Sequence, residues 1–255
     1  MKIERKEIQA AYLFVAILGQ PPSVISPKFS ENVPLSDIER KPGLGADALI
    51  ATVCNGQVSQ KKVPDQERLK LVRNDKGYVT HLQTVDNAAQ NPPVFALGDS
   101  VMVGAASELL RQLPCISIDA KVGRQLAEGI RIIAERKTNG LLSNTVIIHL
   151  GNNGPIDPKQ IDNLLNLLSD RNVVFVNLKL PRNYETANNR ILESMIKNTQ
   201  VRVIDWKDSS TKLRDKKVFG KDGIHLTGVG AKLYASLVVD AISADVRQKL
   251  GSAKK

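Results

Sequence analysis

Four short stretches of this sequence hold residue types that can do chemistry together. "FALGDSVMV" (95–103) breaks an apolar run with Gly98-Asp99-Ser100 and resumes it at once; "AKVGRQ" (120–125) centres on Gly123; "GNNG" (151–154) carries Asn153; "KDGIHL" (221–226) carries Asp222 and His225. A serine hydroxyl attacks an acyl carbon well only when a base takes its proton, and imidazole suits that task near neutral pH. A carboxylate must then orient the ring and stabilise its charged form. Asp222 can meet one ring nitrogen of His225 while the other faces Ser100. The tetrahedral intermediate needs donors for its oxyanion. The backbone N–H groups of Ser100 and Gly123 and the side-chain amide of Asn153 can supply them, and Gly123 lets the backbone approach without a side chain in the way.

Each piece also has a plainer reading. Gly-Asp-Ser is a common turn, a Gly-flanked Asn is usually a turn residue, and Asp-Gly-Ile-His can be a surface loop. Asp99 is expected to pin its loop through hydrogen bonds. His149 falls within an apolar run, which points to a core role, and His81 has no partner that the sequence identifies. Arg182, in the loop after "NLKLP", is a weak candidate for contacting a sugar or peptide and equally a solvated charge. What favours the chemical reading is that the pieces occur in order, at matching places in the pattern of elements.

That pattern begins after Pro92-Pro93. Apolar runs predict strands at 94–97, 115–119, 145–150, 172–180 and 201–206. Between and after them, helical periodicity predicts helices at 106–113, 124–136, 157–170, 187–198 and 228–242. Asp157 reads as an N-cap with Pro158 in the first turn. β-branched strands alternating with amphipathic helices imply an α/β fold, a three-layer sandwich with a parallel sheet flanked by helices. Ligands of such sheets bind beyond the carboxyl ends of the strands, where all four stretches fall.

Upstream the rhythm is different. Residues 1–19 contain Lys2, Arg5 and Lys6 followed by "AAYLFVAIL" (10–18), a run too short to span a bilayer, which needs about 20 apolar residues. It reads as a signal-like or truncated membrane segment, with a short docking helix as the alternative. Residues 20–93 read as an extended linker: eight of the twelve prolines precede residue 94, and apolar patches such as "YVTHLQTV" (78–85) offer at most local strands or a helix. The catalytic domain is expected over 94–250. The two cysteines, Cys54 and Cys115, fall in segments that look unrelated and are expected to be free thiols.

Composition narrows the partners. Of the net charge of +10, residues 94–255 carry most, with 24 Lys and Arg against 16 Asp and Glu, while residues 1–93 hold 12 against 10. A basic domain favours anionic partners, either a cell wall, a membrane surface or nucleic acid. Scarce aromatics and no basic recognition motif argue against nucleic acid.

"GDSVMV", "KVGRQL", "LGNNG", "PRNYE" and "DGIHL" together resemble the SGNH hydrolases, whose fold is flavodoxin-like. The resemblance is nearest to the extracellular catalytic domain of the peptidoglycan O-acetyltransferases of Gram-positive bacteria, and runs from Val94 to roughly Ile242. It implies an extracytoplasmic serine acyltransferase, membrane-attached or secreted to the cell wall, that acetylates the C6 hydroxyl of N-acetylmuramoyl residues in peptidoglycan glycan strands. In that family a multi-span membrane acyltransferase delivers the acetyl group; no metal or diffusible cofactor is implied. Gly154 stands where the family's hydrolases usually carry Asp, as in the acetyltransferase subgroup. Two other expectations stay open: a secreted carbohydrate esterase or lipase of the same fold, and a non-catalytic basic wall-binding module.

Overall fold

The computed structural model describes residues 69–84, 93–197, 200–213 and 217–252. Seven strands form one sheet: β1 (Leu69–Arg73), β2 (Val79–Thr84), β3 (Val94–Gly98), β4 (Ile116–Lys121), β5 (Thr145–His149), β6 (Asn172–Val176) and β7 (Val201–Ile204), in the order β1-β2-β4-β3-β5-β6-β7. β3 to β7 are mutually parallel. The helices are α1 (Ser100–Gln112), α2 (Leu126–Thr138), α3 (Pro158–Leu167), α4 (Glu185–Ser194), α5 (Trp206–Lys212) and α6 (Gly228–Ser252).

Strand alternation sorts the core into two layers. Val94 and Ala96 face a cluster with α1 and α6, including Leu109, Tyr234 and Trp206. Phe95 and Leu97 face the other, with Leu126, Ile161 and Leu192 from α2, α3 and α4. The chain leaves β3 for β4 on one side and then crosses to β5 on the other. The crevice where the strand order reverses therefore opens at the end of β3, which is where Ser100 lies.

Local chemistry moves several boundaries from their expected places. α1 starts at Ser100 rather than 106, because Asp99 caps it: its side chain accepts from Val101 N at 3.1 Å. β6 stops at Val176, short of residue 180, because the side chain of Asn189 takes over the backbone: Leu178 N donates to Asn189 Oδ1 at 2.8 Å, and Asn189 Nδ2 donates to Leu178 O at 2.9 Å. α5, not foreseen, is capped by Asp205, which accepts from Asp208 N. Asp157 and Pro158 open α3 as expected.

Residues 69–84, inside the segment expected to be linker, form an antiparallel hairpin that extends the sheet, and its strand β2 falls in the 78–85 patch read as a local strand or helix. Leu82 and Thr84 are buried while most of β1 is exposed, so one side of β2 supplies the apolar anchorage. The remainder of 1–68, with the "AAYLFVAIL" run, lies outside the described residues. Among the described residues no helix is long and apolar enough to cross a membrane. Cys115 is disulfide-bonded, not a free thiol as expected; spacing alone does not reveal such a partner. The chain's other cysteine, Cys54, lies outside the described residues.

The start of α6 closes the loop that carries Asp222 and His225. Thr227 N donates to Val218 O at 3.0 Å, and Gly230 N donates to Thr227 Oγ1 at 3.2 Å. A Cβ on Gly230 would run into the carbonyl of Val218, a backbone group that cannot swing aside. Gly230→Ala is expected to destabilise the protein by about 1–3 kcal/mol, read from the urea midpoint. Gly228→Ala, whose Cβ would meet nothing within 4 Å, should stay near wild type.

Candidate active site

Ser100 is the first helical residue of α1, so its N–H belongs to the helix-end donors that have no partner within the helix. Its Oγ lies 3.0 Å from His225 Nε2, and His225 Nδ1 lies 2.6 Å from Asp222 Oδ2. A carboxylate only accepts, so Nδ1 carries the proton and Nε2 is left to accept from the serine. The other Asp222 oxygen accepts from Ile224 N and His225 N, both at 3.0 Å. This Asx-type turn, with Gly223 at φ +70°, holds acid and base in one rigid loop. The hydrogen bond from His225, then that from Ile224 N, lowers the Asp222 carboxyl to about 2, so it stays ionised. The site is open: the side chains of His225 and Asp222 are 54% and 49% exposed.

The other residues expected to serve an oxyanion, Gly123 and Asn153, lie in the loops that follow β4 and β5. Gly123 follows β4 with φ +75°, a conformation that glycine adopts without strain. Asn153 Nδ2 points between Asp99 Oδ2 at 3.4 Å and Arg124 O at 3.3 Å. Both bonds are long, so a stronger acceptor can compete for the amide. Arg182 lies at the same edge of the sheet, after β6, exposed, with its backbone N–H closing a turn onto Leu180 O; the structure brings it into no contact with the triad.

Beneath the triad runs a buried polar chain of which the sequence showed only parts. Asp99 has no solvent exposure. It pins its loop as expected, accepting from Val101 N, from Asn152 Nδ2 at 2.9 Å and from Asn153. Asn152 Nδ2 also approaches His149 Nε2 at 3.3 Å, and His149 Nδ1 meets the Tyr234 hydroxyl at 3.0 Å. Because the Asn152 nitrogen must face the Asp99 carboxylate, His149 Nε2 accepts and Nδ1 donates to Tyr234. His149 is fully buried, as its place in β5 suggested, and burial lowers it to about 3. His81, which lacked a partner in sequence, lies 2.9 Å from Asp119. Asn188 holds the "GNNG" loop from α4, donating to Gly151 O and Gly154 O, each at 3.0 Å. Its signal in sequence was weak: a pair of Asn residues inside a helix, where their propensity is poor. Among the described residues no group of three or more His, Cys, Asp or Glu could hold a metal ion.

Burial pushes the Asp99 carboxyl up to about 6, against the opposing hydrogen bonds from Asn152 and Val101. With a folded value above the unfolded one of 3.8, Asp99 favours folding most below pH 3.8, and this contribution is lost as pH rises through about 6. His149 acts oppositely, since it stays neutral in the fold while the unfolded chain takes up a proton. Comparison with Asp99→Asn isolates the carboxyl. From about pH 7.5 to about pH 4.5, wild type should gain about 2 kcal/mol relative to the variant, measured by chemical denaturation. A pH-independent difference would contradict the burial account.

Several known proteins are similar. YrhL of Bacillus subtilis, described as a peptidoglycan O-acetyltransferase, is 32% identical over 193 residues, covering 72% of this chain and 30% of that protein. The peptidoglycan O-acetyltransferase OatA of Listeria monocytogenes is 32% identical over 148 residues, covering 58% and 24%. The O-acetyltransferase OatA of Staphylococcus aureus is 31% identical over 155 residues, covering 60% and 25%. The chain thus spans less than a third of the length of these relatives. No protein-family model matches. Among solved structures, the C-terminal catalytic domain of Streptococcus pneumoniae OatA, with a methylsulfonyl adduct, superposes with a TM-score of 0.55 at 23% identity, over 61% of this chain and 94% of that one. By sequence the chain is therefore related to the peptidoglycan O-acetyltransferases, and by fold it matches the C-terminal catalytic domain of one of them.

Proposed function

We propose that this chain is an extracytoplasmic serine acyltransferase that O-acetylates peptidoglycan, with Ser100, His225 and Asp222 as its catalytic triad. The observation that carries this is the unbroken hydrogen-bonded line from Ser100 Oγ through His225 to Asp222 at the edge of the sheet. In the first step Ser100 Oγ bonds to the acetyl carbon and the donor's bond to that carbon breaks. His225 Nε2 takes the serine proton and passes it to the leaving group. In the second step the C6 hydroxyl of an N-acetylmuramoyl residue bonds to the acetyl carbon and the bond to Ser100 Oγ breaks. His225 takes the hydroxyl proton and returns it to the serine. Asp222 orients the imidazole throughout, and the N–H groups of Ser100 and Gly123 with the Asn153 amide stabilise each oxyanion.

Four features support the location and acceptor. Two of the relatives, YrhL and the Listeria OatA, are named for acting on peptidoglycan. The basic surplus of residues 94–255 suits an anionic wall. The disulfide at Cys115 suits an oxidising compartment. The exposed triad leaves room for a polymer, which an enclosed cavity would not. We assign residues 94–250 and the hairpin 69–84 to the catalytic unit. Delivery of the acetyl group by a multi-span membrane acyltransferase belongs to the same proposal. The second reading, an esterase that passes the acyl group to water, has one observation in its favour: the same exposure admits water.

Ser100→Ala should lower kcat on a chromogenic acetyl ester by about 10⁴-fold or more while the fold persists. Asn153→Ala should cost roughly 10²-fold. Gly154→Asp addresses transfer against hydrolysis. A Cβ at 154 would meet only the flexible end of Gln125, Oε1 at 3.0 Å, so the variant can be accommodated. Its carboxylate can hold a water near the acyl-serine. With an acetyl donor and a muramoyl oligosaccharide, wild type should form acetylated glycan faster than free acetate, and Gly154→Asp should shift the ratio toward acetate, both read by mass spectrometry. Acetate dominating in wild type at saturating acceptor would establish the esterase reading instead.

A further inference from the structure

Arg124 is 1% exposed, and a guanidinium cannot shed its charge. Burying it is costly unless acceptors surround it. Nη1 donates to Asp119 O at 2.6 Å and to Gly98 O at 3.2 Å, and Nη2 donates to Asp119 Oδ1 at 2.6 Å. Nε lies 3.5 Å from Glu128 Oε1. Asp119 is itself buried and receives two contacts from the edge hairpin: His81 Nε2 at 2.9 Å and Gln83 Nε2 at 3.4 Å.

The position of this cation in the site is what matters. Gly98, whose carbonyl it holds, hands the chain to Asp99 and Ser100. Gly123 is its covalent neighbour. Its own carbonyl accepts from Asn153 Nδ2 at 3.3 Å. All three oxyanion donors are therefore tied to one residue, on three different strand ends. Donors stabilise a developing oxyanion only when their spacing is fixed beforehand, and misplacement by less than a hydrogen-bond length forfeits much of the effect.

We propose that Arg124 is the positioning residue that sets the spacing of the oxyanion donors, and that Asp119 and, through it, His81 of the edge hairpin hold it in place. The proposal rests on the serine acyl-transfer reading above. It makes the hairpin part of the catalytic unit, not an ornament on its edge. The guanidinium acts through the loops and touches no reacting atom. Lysine cannot replace it, because one ammonium cannot span the Gly98 carbonyl and both Asp119 acceptors with the same planar fork.

The test compares Arg124→Lys, Arg124→Met, His81→Ala and His81→Gln by turnover of p-nitrophenyl acetate and by affinity for phenylboronic acid, whose serine adduct is tetrahedral and places an oxygen among the donors. Both Arg124 variants should lose on the order of 10²-fold in kcat, with little change in KM, a boronate affinity weakened in parallel and a pH profile whose midpoint stays at the wild-type position. His81→Ala should show the same pattern in smaller degree. His81→Gln, whose amide can donate to Asp119, should recover most of that loss. Wild-type kcat and boronate affinity in a folded Arg124 variant would overturn the proposal. Should neither Arg124 variant fold, His81→Ala at wild-type values would overturn it, and the paired loss and recovery at His81 would support it. Ser100→Ala is measured alongside: turnover retained there would overturn the serine reading itself and this inference with it, whereas an inactive Ser100→Ala beside unaffected Arg124 and His81 variants overturns this inference alone.

Discussion

Asp99 presents a carboxylate to a crevice closed to water, and a buried anion must be answered by donors. The donors are Val101 N, Asn152 Nδ2 and Asn153 Nδ2. Satisfying the charge therefore does three structural things together. It caps α1 and so sets where Ser100 begins the helix. It draws the loop after β5 against the end of β3. It draws the Asn153 amide over the residue that precedes the serine. The residual cost appears as a carboxyl raised to about 6. Behind Asn152 the chain continues to His149 and Tyr234, which are both fully buried and neutral, so no second charge competes for the same donors.

Arg124 is the counterpart of opposite sign. Asp99 and Arg124 are both shielded from solvent, and Asn153 bonds to each of them. Two buried ions thus fix the donor side of the site from beneath, although Gly123 itself is exposed and Asn153 half-buried. The base side is wet: Asp222 and His225 stand on an exposed loop held by its own backbone turn and by the docking of α6 on Val218. Donors stabilise developing charge best when their orientation is fixed beforehand, and buried ions beneath the loops fix it without closing the site above them.

The residues of the proposed triad were legible in sequence because their types are rare in combination and their places follow the strand ends. Ser100, Asp222 and His225 needed only the alternation of elements to bring them together. The residues that hold them were not legible. Asp119 closes an apolar strand and Arg124 follows a glycine turn, and nothing in either position shows that the two are buried as an ion pair. Asn188 and Asn189 look like poor helix formers, and their use emerges only when α4 lies across the ends of β5 and β6. The early start of α1 was hidden because its cap is the same Asp99 that reads as a turn. His81 had no visible partner because its partner lies on β4, across an antiparallel pairing that alternation of parallel units does not foresee.

That pairing also explains why a hairpin is attached to an otherwise parallel sheet. Without β2, β4 would be an edge strand, with unpaired backbone groups running up to the glycine turn beside the serine. β2 covers them, and Val122 N donates to Thr80 O at 2.7 Å, one residue before Gly123. The cover thus reaches past the regular ladder to the donor loop itself. A unit cut at Val94 would keep every residue of the triad. It would lose the strand that holds the Gly123 loop in the plane of the sheet, together with the two side chains that face Asp119. Backbone pairing thus carries the sheet upstream of the Pro92-Pro93 break at which the alternating pattern begins.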